Sequence, residues 1–242
     1  MSFVDAWGQQ LWDIYQNKEQ YWIIERDDGR IEAGSGSFYF SDFPDWPPME
    51  QEAIQLARGR VLDVGCGAGR HALYLQSQGL DVLGIDQSPL LIQICRERGL
   101  KDAQVCSITE AHRLGGRPFD TILMFGNNLG LLGNGKRGRW ILKAWHKITS
   151  DSAAILAETL DPYQTDDPGH LAYHQRNRAR GRMGGQVRIR VRHKMLKGPW
   201  FDYLFLSQDE LRQLVAGTGW QIARCLEEGP HYVAVLTKFP SG

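Results

Sequence analysis

Val61–His71, VLDVGCGAGRH, sets three glycines, Gly65, Gly67 and Gly69, within five positions directly behind an apolar run. A chain keeps that much backbone freedom where it turns sharply or lets another molecule approach its main chain. A phosphate-cradling loop needs G-x-x-x-x-G-K-[ST], and no Lys-Ser or Lys-Thr follows these glycines. A dinucleotide site needs G-x-G-x-x-G, whose third glycine is replaced here by Arg70. The spacing G-x-G-x-G excludes the first ligand and disfavours the second.

Outward from this loop, short apolar strands alternate with helical periods. RVLDVG reads as a strand, RHALYLQSQG as a helix and LDVLGID as a strand. SPLLIQICRERG is a helix with Ser88 as N-cap and Pro89 at its first position. DAQVCS, FDTILMFG and AAILAETL are strands, and KRGRWILKAWHKIT is a helix. Such alternation predicts βαβ units and a parallel sheet.

Before the loop, Phe3, Trp7, Leu11, Ile14 and Tyr15 recur at steps of three and four, predicting an amphipathic helix over residues 1–20. YWIIERDDGRIE reads as a hairpin through an Asp-Gly turn, and Pro47-Pro48 opens a helix over Met49–Arg58. After Leu160 the alternation stops. VRIRVRHK and WFDYLFLS read as an inserted antiparallel hairpin. Ser207 and Glu210 form a capping box, and WQIARCLEE with HYVAVLTK closes the chain as a second hairpin. The expectation is one α/β domain of three αβα layers, Rossmann-like, with a seven-stranded mostly parallel sheet and an antiparallel terminal strand. Its core spans 49–160 and 205–238, with an N-terminal cap at 1–48 and an inserted hairpin cap at 161–204.

In that frame the loop suits S-adenosylmethionine, which presents an amino-acid end, a sulfonium, a ribose and an adenine instead of a pyrophosphate. Such a ligand asks for close backbone approach and an acidic neighbour for its ammonium, and Asp63 stands two residues before Gly65. VLDVGCGAGRHALYLQSQGLDVLGIDQSP resembles the first two motifs of the class I S-adenosylmethionine-dependent methyltransferases, read through without a gap. RPFDTILMFGNNLGLL is similar to that family's fourth strand. The resemblance implies a cofactor site of Asp63, Gly65, Cys66, Gly67, Gly69, His71, Asp86, Gln87, Ser107, Ile108, Phe125 and Asn127. Within it Asp86 takes the ribose hydroxyls and Gln87 flanks the adenine. Ser107 stands where the family usually carries an acid for the adenine amino group.

Methyl transfer from a sulfonium is an in-line displacement whose electrophile arrives activated, so alignment and exclusion of water dominate. No catalytic residue announces itself. Asn127, Asp161, Tyr163 and His174 follow the fourth and fifth strands and are the catalytic candidates, each with a structural reading as turn or scaffold beside it. The Asn/Asp-Pro-Pro-Tyr/Phe motif of amino-directed DNA enzymes is replaced by Gly-Asn-Asn-Leu, and no cysteine stands where a C5-directed nucleophile would.

Of 242 residues, 42% are hydrophobic and 23% charged, with 28 basic and 28 acidic side chains. The balance hides nine Lys/Arg and no Asp/Glu between Arg176 and Lys197. In VRIRVRHK the arginines alternate with Val187, Ile189 and Val191, which on a strand puts them on opposite faces. They read either as a solvated outer face or as an anion-facing lid. The lid favours a small, anionic methyl acceptor; an RNA acceptor is the first alternative and a non-catalytic cofactor-binding protein the second. A nicotinamide oxidoreductase ranks last. The four cysteines are scattered without a C-x-x-C pair, which argues against a zinc site or a disulfide framework. With no secretory pattern at the N-terminus and no long apolar run, the expected location is the cytoplasm, away from any membrane.

Overall fold

The computed structural model describes residues 4–239; Phe3, placed by the periodicity on the first helix, lies outside them. Helix α1 (Ala6–Tyr15) starts at Asp5, whose carboxylate accepts from the Gly8 N–H at 2.8 Å. It ends before Asn17, which takes a positive φ of 57°. Its apolar stripe, Leu11 and Ile14, packs on Leu91 and Ile94 of a core helix. Strands β1 (Tyr21–Arg26) and β2 (Ile31–Ser35) pair antiparallel across the Asp28-Gly29 turn. Two short 3₁₀ turns lead to α2 (Pro48–Ile54).

The core follows as β3 (Arg60–Val64), α3 (Arg70–Ser77), β4 (Asp81–Asp86), α4 (Pro89–Glu97), β5 (Asp102–Val105), β6 (Phe119–Met124), α5 (Gly135–His146) and β7 (Thr149–Leu160). An excursion of α6 (Pro168–Ala179), β8 (Gln186–His193), the two-residue β9 (Leu196–Lys197) and β10 (Phe201–Leu204) precedes α7 (Gln208–Val215), β11 (Trp220–Glu228) and β12 (His231–Lys238).

Seven strands make the main sheet in the order β11-β12-β7-β6-β3-β4-β5. The five from β7 to β5 run parallel, β12 runs antiparallel to β7, and β11, antiparallel to β12, takes the direction of the five again. Alternation along β3 sends Val61 and Leu62 to opposite faces. On one face Ile141, Leu142 and Trp145 of α5 and Leu211 and Leu214 of α7 cover Leu62, Ile122 and Ile155. On the other, Ala53 and Ile54 of α2, Leu75 of α3 and Ile92 of α4 cover Val61, Leu123 and Leu156. A sheet buried on both faces explains why its strands read as apolar runs. Each buried Leu, Ile or Val contributes about 1.5–3 kcal/mol.

A second, antiparallel sheet has the order β10-β8-β1-β2, with β9 beside β8. The N-terminal hairpin and the inserted hairpin are therefore one sheet, joined by β1 and β8 with Glu25 opposite Arg190. Helix α6 packs on its apolar face, with Tyr173 against Val187 and Ile189. That helix was not anticipated. Asp167, which caps it by accepting from Gly169 and His170, and Pro168 at its first position were the legible signal.

Candidate active site

The carboxyl ends of β3, β4, β5 and β6 and the inner face of the second sheet bound a cavity of about 680 Å³. This is where ligands sit in open α/β sheets, because the turns after the strands diverge there.

The glycine loop forms its floor. Gly65 and Gly67 have φ of 70° and 56°, a region that side chains with a Cβ avoid. The Gly65 and Cys66 N–H groups donate to the Ile85 carbonyl (2.8 and 3.0 Å), and Asn128 Nδ2 donates to the carbonyls of Val64 and Gly65 (3.1 and 2.8 Å). A Cβ on Gly65 would come within 2.8 Å of Asn128 and Leu131. One on Gly67 would meet nothing nearer than 4.0 Å. Gly65 thus lets the loop pack, and Gly67 leaves its main chain open to the cavity. Beside it the Asp86 carboxylate accepts from Gly67 N–H (3.3 Å) and Ser88 N–H (2.9 Å). Burial pushes this carboxyl up to about 6.

Asp63 lies beneath the loop, 2% exposed and not among the cavity-lining residues. It accepts from the Ala72 N–H, and its Oδ2 has no partner. Burial, then the Asp86 charge, pushes it up to about 7.

Arg70, which displaces the third glycine of a dinucleotide loop, is clamped in place. Its guanidinium lies over the rings of Phe38 and Trp46 (3.9 and 5.0 Å) and donates to Glu50 Oε2 at 2.5 Å. His71 Nε2 lies 3.0 Å from the same oxygen and 2.8 Å from Arg70 Nη2. Burial, with the Arg70 charge beside it, takes the imidazole down to about 4, so at neutral pH it carries no charge. Glu158 completes the cluster, accepting from the Gly126 N–H (2.5 Å). Burial and the Glu50 charge push its carboxyl up to about 8. One of two neighbouring buried acids is thus ionised against Arg70 and the other protonated, because two buried charges of like sign oppose each other.

Among the residues expected from sequence, Gly65, Cys66, Gly67, His71, Asp86, Gln87, Ser107, Ile108, Phe125 and Asn127 all line the cavity, as do Asp161 and His174. Asp63, Gly69 and Tyr163 are not among its lining residues. Asn127 has φ 62°, its backbone carbonyl accepts from Tyr203 Oη (2.5 Å), and its Oδ1 is buried without a partner. Tyr163 Oη donates to Glu210 (2.5 Å), and its ring edge packs on His174. His174 is 5% exposed with Nδ1 unpartnered; burial, His170, Arg178 and Arg26 lower its pKa.

The roof is the inner face of the second sheet: Trp22, Ile24, Val187, Ile189, Val191, Phe201, Tyr203 and Phe205. Of the two readings of VRIRVRHK, this overturns the anion-facing lid and leaves the outer face. The apolar residues face the cavity, and Arg188, Arg190 and Arg192 are not among its lining residues. Arg190 forks onto Glu25 (2.9 and 3.0 Å), Arg192 reaches it at 3.4 Å, and Arg188 lies 4.0 Å from Asp202. The pleat decides the outcome, since a strand covering a cavity buries its apolar side. Sequence reasoning also missed Glu50, Glu158, Arg26 and Arg137. Their roles come from tertiary neighbours and leave no local pattern.

Fold and site together define a Rossmann-like protein that holds a nucleoside-bearing ligand under an antiparallel cap. The unpartnered buried oxygen of Asn127, the open main chain at Gly67 and the Asp86 carboxyl at the end of β4 fit S-adenosylmethionine. A family model described as "Methyltransferase domain" matches residues 61–150. An S-adenosylmethionine-dependent methyltransferase from Bacteroides fragilis, solved with S-adenosyl-L-homocysteine, superposes with a TM-score of 0.82 at 26% identity, covering 97% of this chain and 95% of that one. The CcbJ methyltransferase of Streptomyces caelestis shares the fold (TM-score 0.60, 15% identity, covering 83% of this chain and 98% of that one). A ubiquinone biosynthesis O-methyltransferase of Xylella fastidiosa is 38% identical over 74 residues, 28% of this chain. The chain spans 30% of the length of that curated relative. Residues 61–150 thus match a methyltransferase domain, and the chain as a whole has the fold of the Bacteroides fragilis enzyme solved with S-adenosyl-L-homocysteine. Among the described residues no helix is long and apolar enough to cross a membrane.

Proposed function

We propose that this protein transfers a methyl group from S-adenosylmethionine to a small molecule held between the glycine loop and the apolar face of the second sheet. The observation that carries the reading is the single cavity shared by the loop, Asp86 and the roof of Val187, Ile189 and Val191. When bound, S-adenosylmethionine supplies an electrophilic methyl group on a sulfonium. In this reading the loop around Gly65 and Gly67, Asp86, Gln87, Ser107 and Ile108 hold the cofactor. Asp63 supports the loop from below, where it accepts from the Ala72 N–H.

The chain's own work is then orientation and exclusion of water. The roof keeps water from the acceptor, and Asn127 Oδ1 orients a donor group on it. His174 is the candidate for the group that takes the acceptor's proton, at Nε2, because its lowered pKa keeps the ring neutral. Pairing of the β8 arginines with Glu25 and Asp202 favours a small acceptor over RNA, whose backbone needs unpaired cations.

The test is incubation with methyl-labelled cofactor and a metabolite extract, with cellular RNA in parallel. Label in the small-molecule fraction is expected. Label confined to RNA, with affinity falling steeply with salt, overturns the acceptor class. Binding of S-adenosylhomocysteine with no labelled product in either fraction overturns the activity.

A further inference from the structure

Four arginines line the cavity, and three are already paired. Arg26 is bound by Asp28 (2.8 Å), Arg30 by Glu32 and Asp167 (3.0 Å each), and Arg70 by Glu50. The fourth, Arg137 near the start of α5, makes no ion pair and no side-chain hydrogen bond to a carboxylate or carbonyl among the described residues. The acid nearest in charge, Asp202, is occupied. Its Oδ1 accepts from Arg182 (3.0 Å), its Oδ2 from Gln186 (3.1 Å), and Arg188 stands at 4.0 Å. Two guanidinium groups and one amide thus surround this carboxylate, and Arg137, which lines the cavity, makes no bond to it.

The local design keeps it there. Gly133 leaves the space Arg137 occupies: a Cβ on Gly133 would sit 3.0 Å from Arg137 Nη1 and 3.2 Å from the Asp202 carbonyl. The first turn of α5 carries Lys136 and Arg137 and no acid, so the cations stand at the positive end of the helix dipole. That arrangement costs stability in the empty protein and is relieved by an anion. Burial also lowers the Arg137 pKa, opposed by the Asp202 charge nearby.

We propose that Arg137 is the anchor for a carboxylate on the methyl acceptor, and that the acceptor is a small aromatic or flat apolar acid. The inference rests on the methyltransferase reading and names its substrate class. A guanidinium presents two parallel donors that match a planar carboxylate. The apolar roof of Ile24, Val187, Ile189 and Phe201 then takes the body of the molecule. In this proposal the acceptor's anion is held on α5 and not by the β8 arginines.

The test uses the full chain, first titrated with S-adenosylhomocysteine and then, saturated with it, with benzoate, 4-hydroxybenzoate, phenyl phosphate and benzamide. The proteins are wild type, Arg137→Gln and Arg137→Lys. The expected result is that the benzoates bind wild type about tenfold or more tighter than benzamide, as a charge-assisted pair allows. Arg137→Gln removes that preference, Arg137→Lys restores part of it, and all three bind S-adenosylhomocysteine alike. Equal binding of benzoate and benzamide, retention of the preference in Arg137→Gln, or no binding of any probe to the loaded protein overturns the proposal. Binding of phenyl phosphate alone overturns the carboxylate assignment. Failure of S-adenosylhomocysteine to bind wild type overturns the methyltransferase reading itself, and this proposal falls with it.

Discussion

Glu25 of β1 and Arg190 of β8 stand opposite each other across an antiparallel pair, and their side chains meet in a two-pronged ion pair at 2.9 and 3.0 Å. They are 165 residues apart in sequence. The pair fastens the N-terminal hairpin to the inserted one, so the roof of the cavity depends on it. Glu25→Gln leaves Arg190 and Arg192 without a counterion and is expected to lower stability by about 1–3 kcal/mol in urea unfolding. The exchange Glu25→Arg with Arg190→Glu is expected to recover most of the loss. A Glu25→Gln protein as stable as wild type would show that the pair adds nothing to the cap.

Asp86 sits at the end of β4 with both carboxylate oxygens turned to backbone N–H groups at the cavity wall. Asp86→Ala is expected to weaken S-adenosylhomocysteine binding by about 10- to 100-fold in calorimetry, the range for losing hydrogen bonds to a charged group. Unchanged affinity in a folded variant would remove Asp86 from the ribose site.

Asp63 gives a pH signature. Its folded pKa of about 7 lies above the ordinary value of 3.8, through burial first and the Asp86 charge second. A raised folded pKa means that the protonated fold is the favoured one. Its contribution is fully present below about pH 4 and is lost as pH rises through 7. Wild-type stability measured against Asp63→Asn should therefore fall between pH 4 and 7 and level off above, by on the order of a few kcal/mol in total. A difference independent of pH would show that Asp63 is ionised throughout.

Glu50 and Glu158 should respond oppositely to neutralisation. Glu158, raised to about 8 by burial and the Glu50 charge, is protonated at pH 7, and glutamine resembles that form. Glu158→Gln is expected to be near neutral at pH 4.5 and increasingly stabilising relative to wild type as pH rises through 8, with the full difference reached by pH 9. Glu50→Gln strips Arg70 of its buried counterion and is expected to cost about 3–5 kcal/mol. Thermal melts at the two pH values separate the cases; equal losses would contradict the split protonation.

The cofactor half of the site was legible because its information is local. Gly65, Gly67 and Asp86 lie on one strand–turn–helix–strand unit whose spacing alone brings loop and acid together. Asp63 was read as a ligand contact, yet it faces down from β3 and lies 2% exposed under the loop. The sequence shows that an acid precedes the turn but not which way the pleat aims it. The cluster of Arg70, Glu50 and Glu158 joins three elements, and no window of the chain contains it.

What the sequence by itself determined is the layered core, the parallel order of its strands and the place of the glycine loop. These follow from periodicity and turn chemistry, which act over a few residues. What only the tertiary structure decided is the acceptor side. VRIRVRHK states that one face is apolar and the other basic. It is the pairing of β8 with β1 that turns Val187, Ile189 and Val191 toward the cavity and gives the arginines to Glu25 and Asp202. Charge in a folded chain is read from its partners, and those partners lie on segments that meet only when the chain folds.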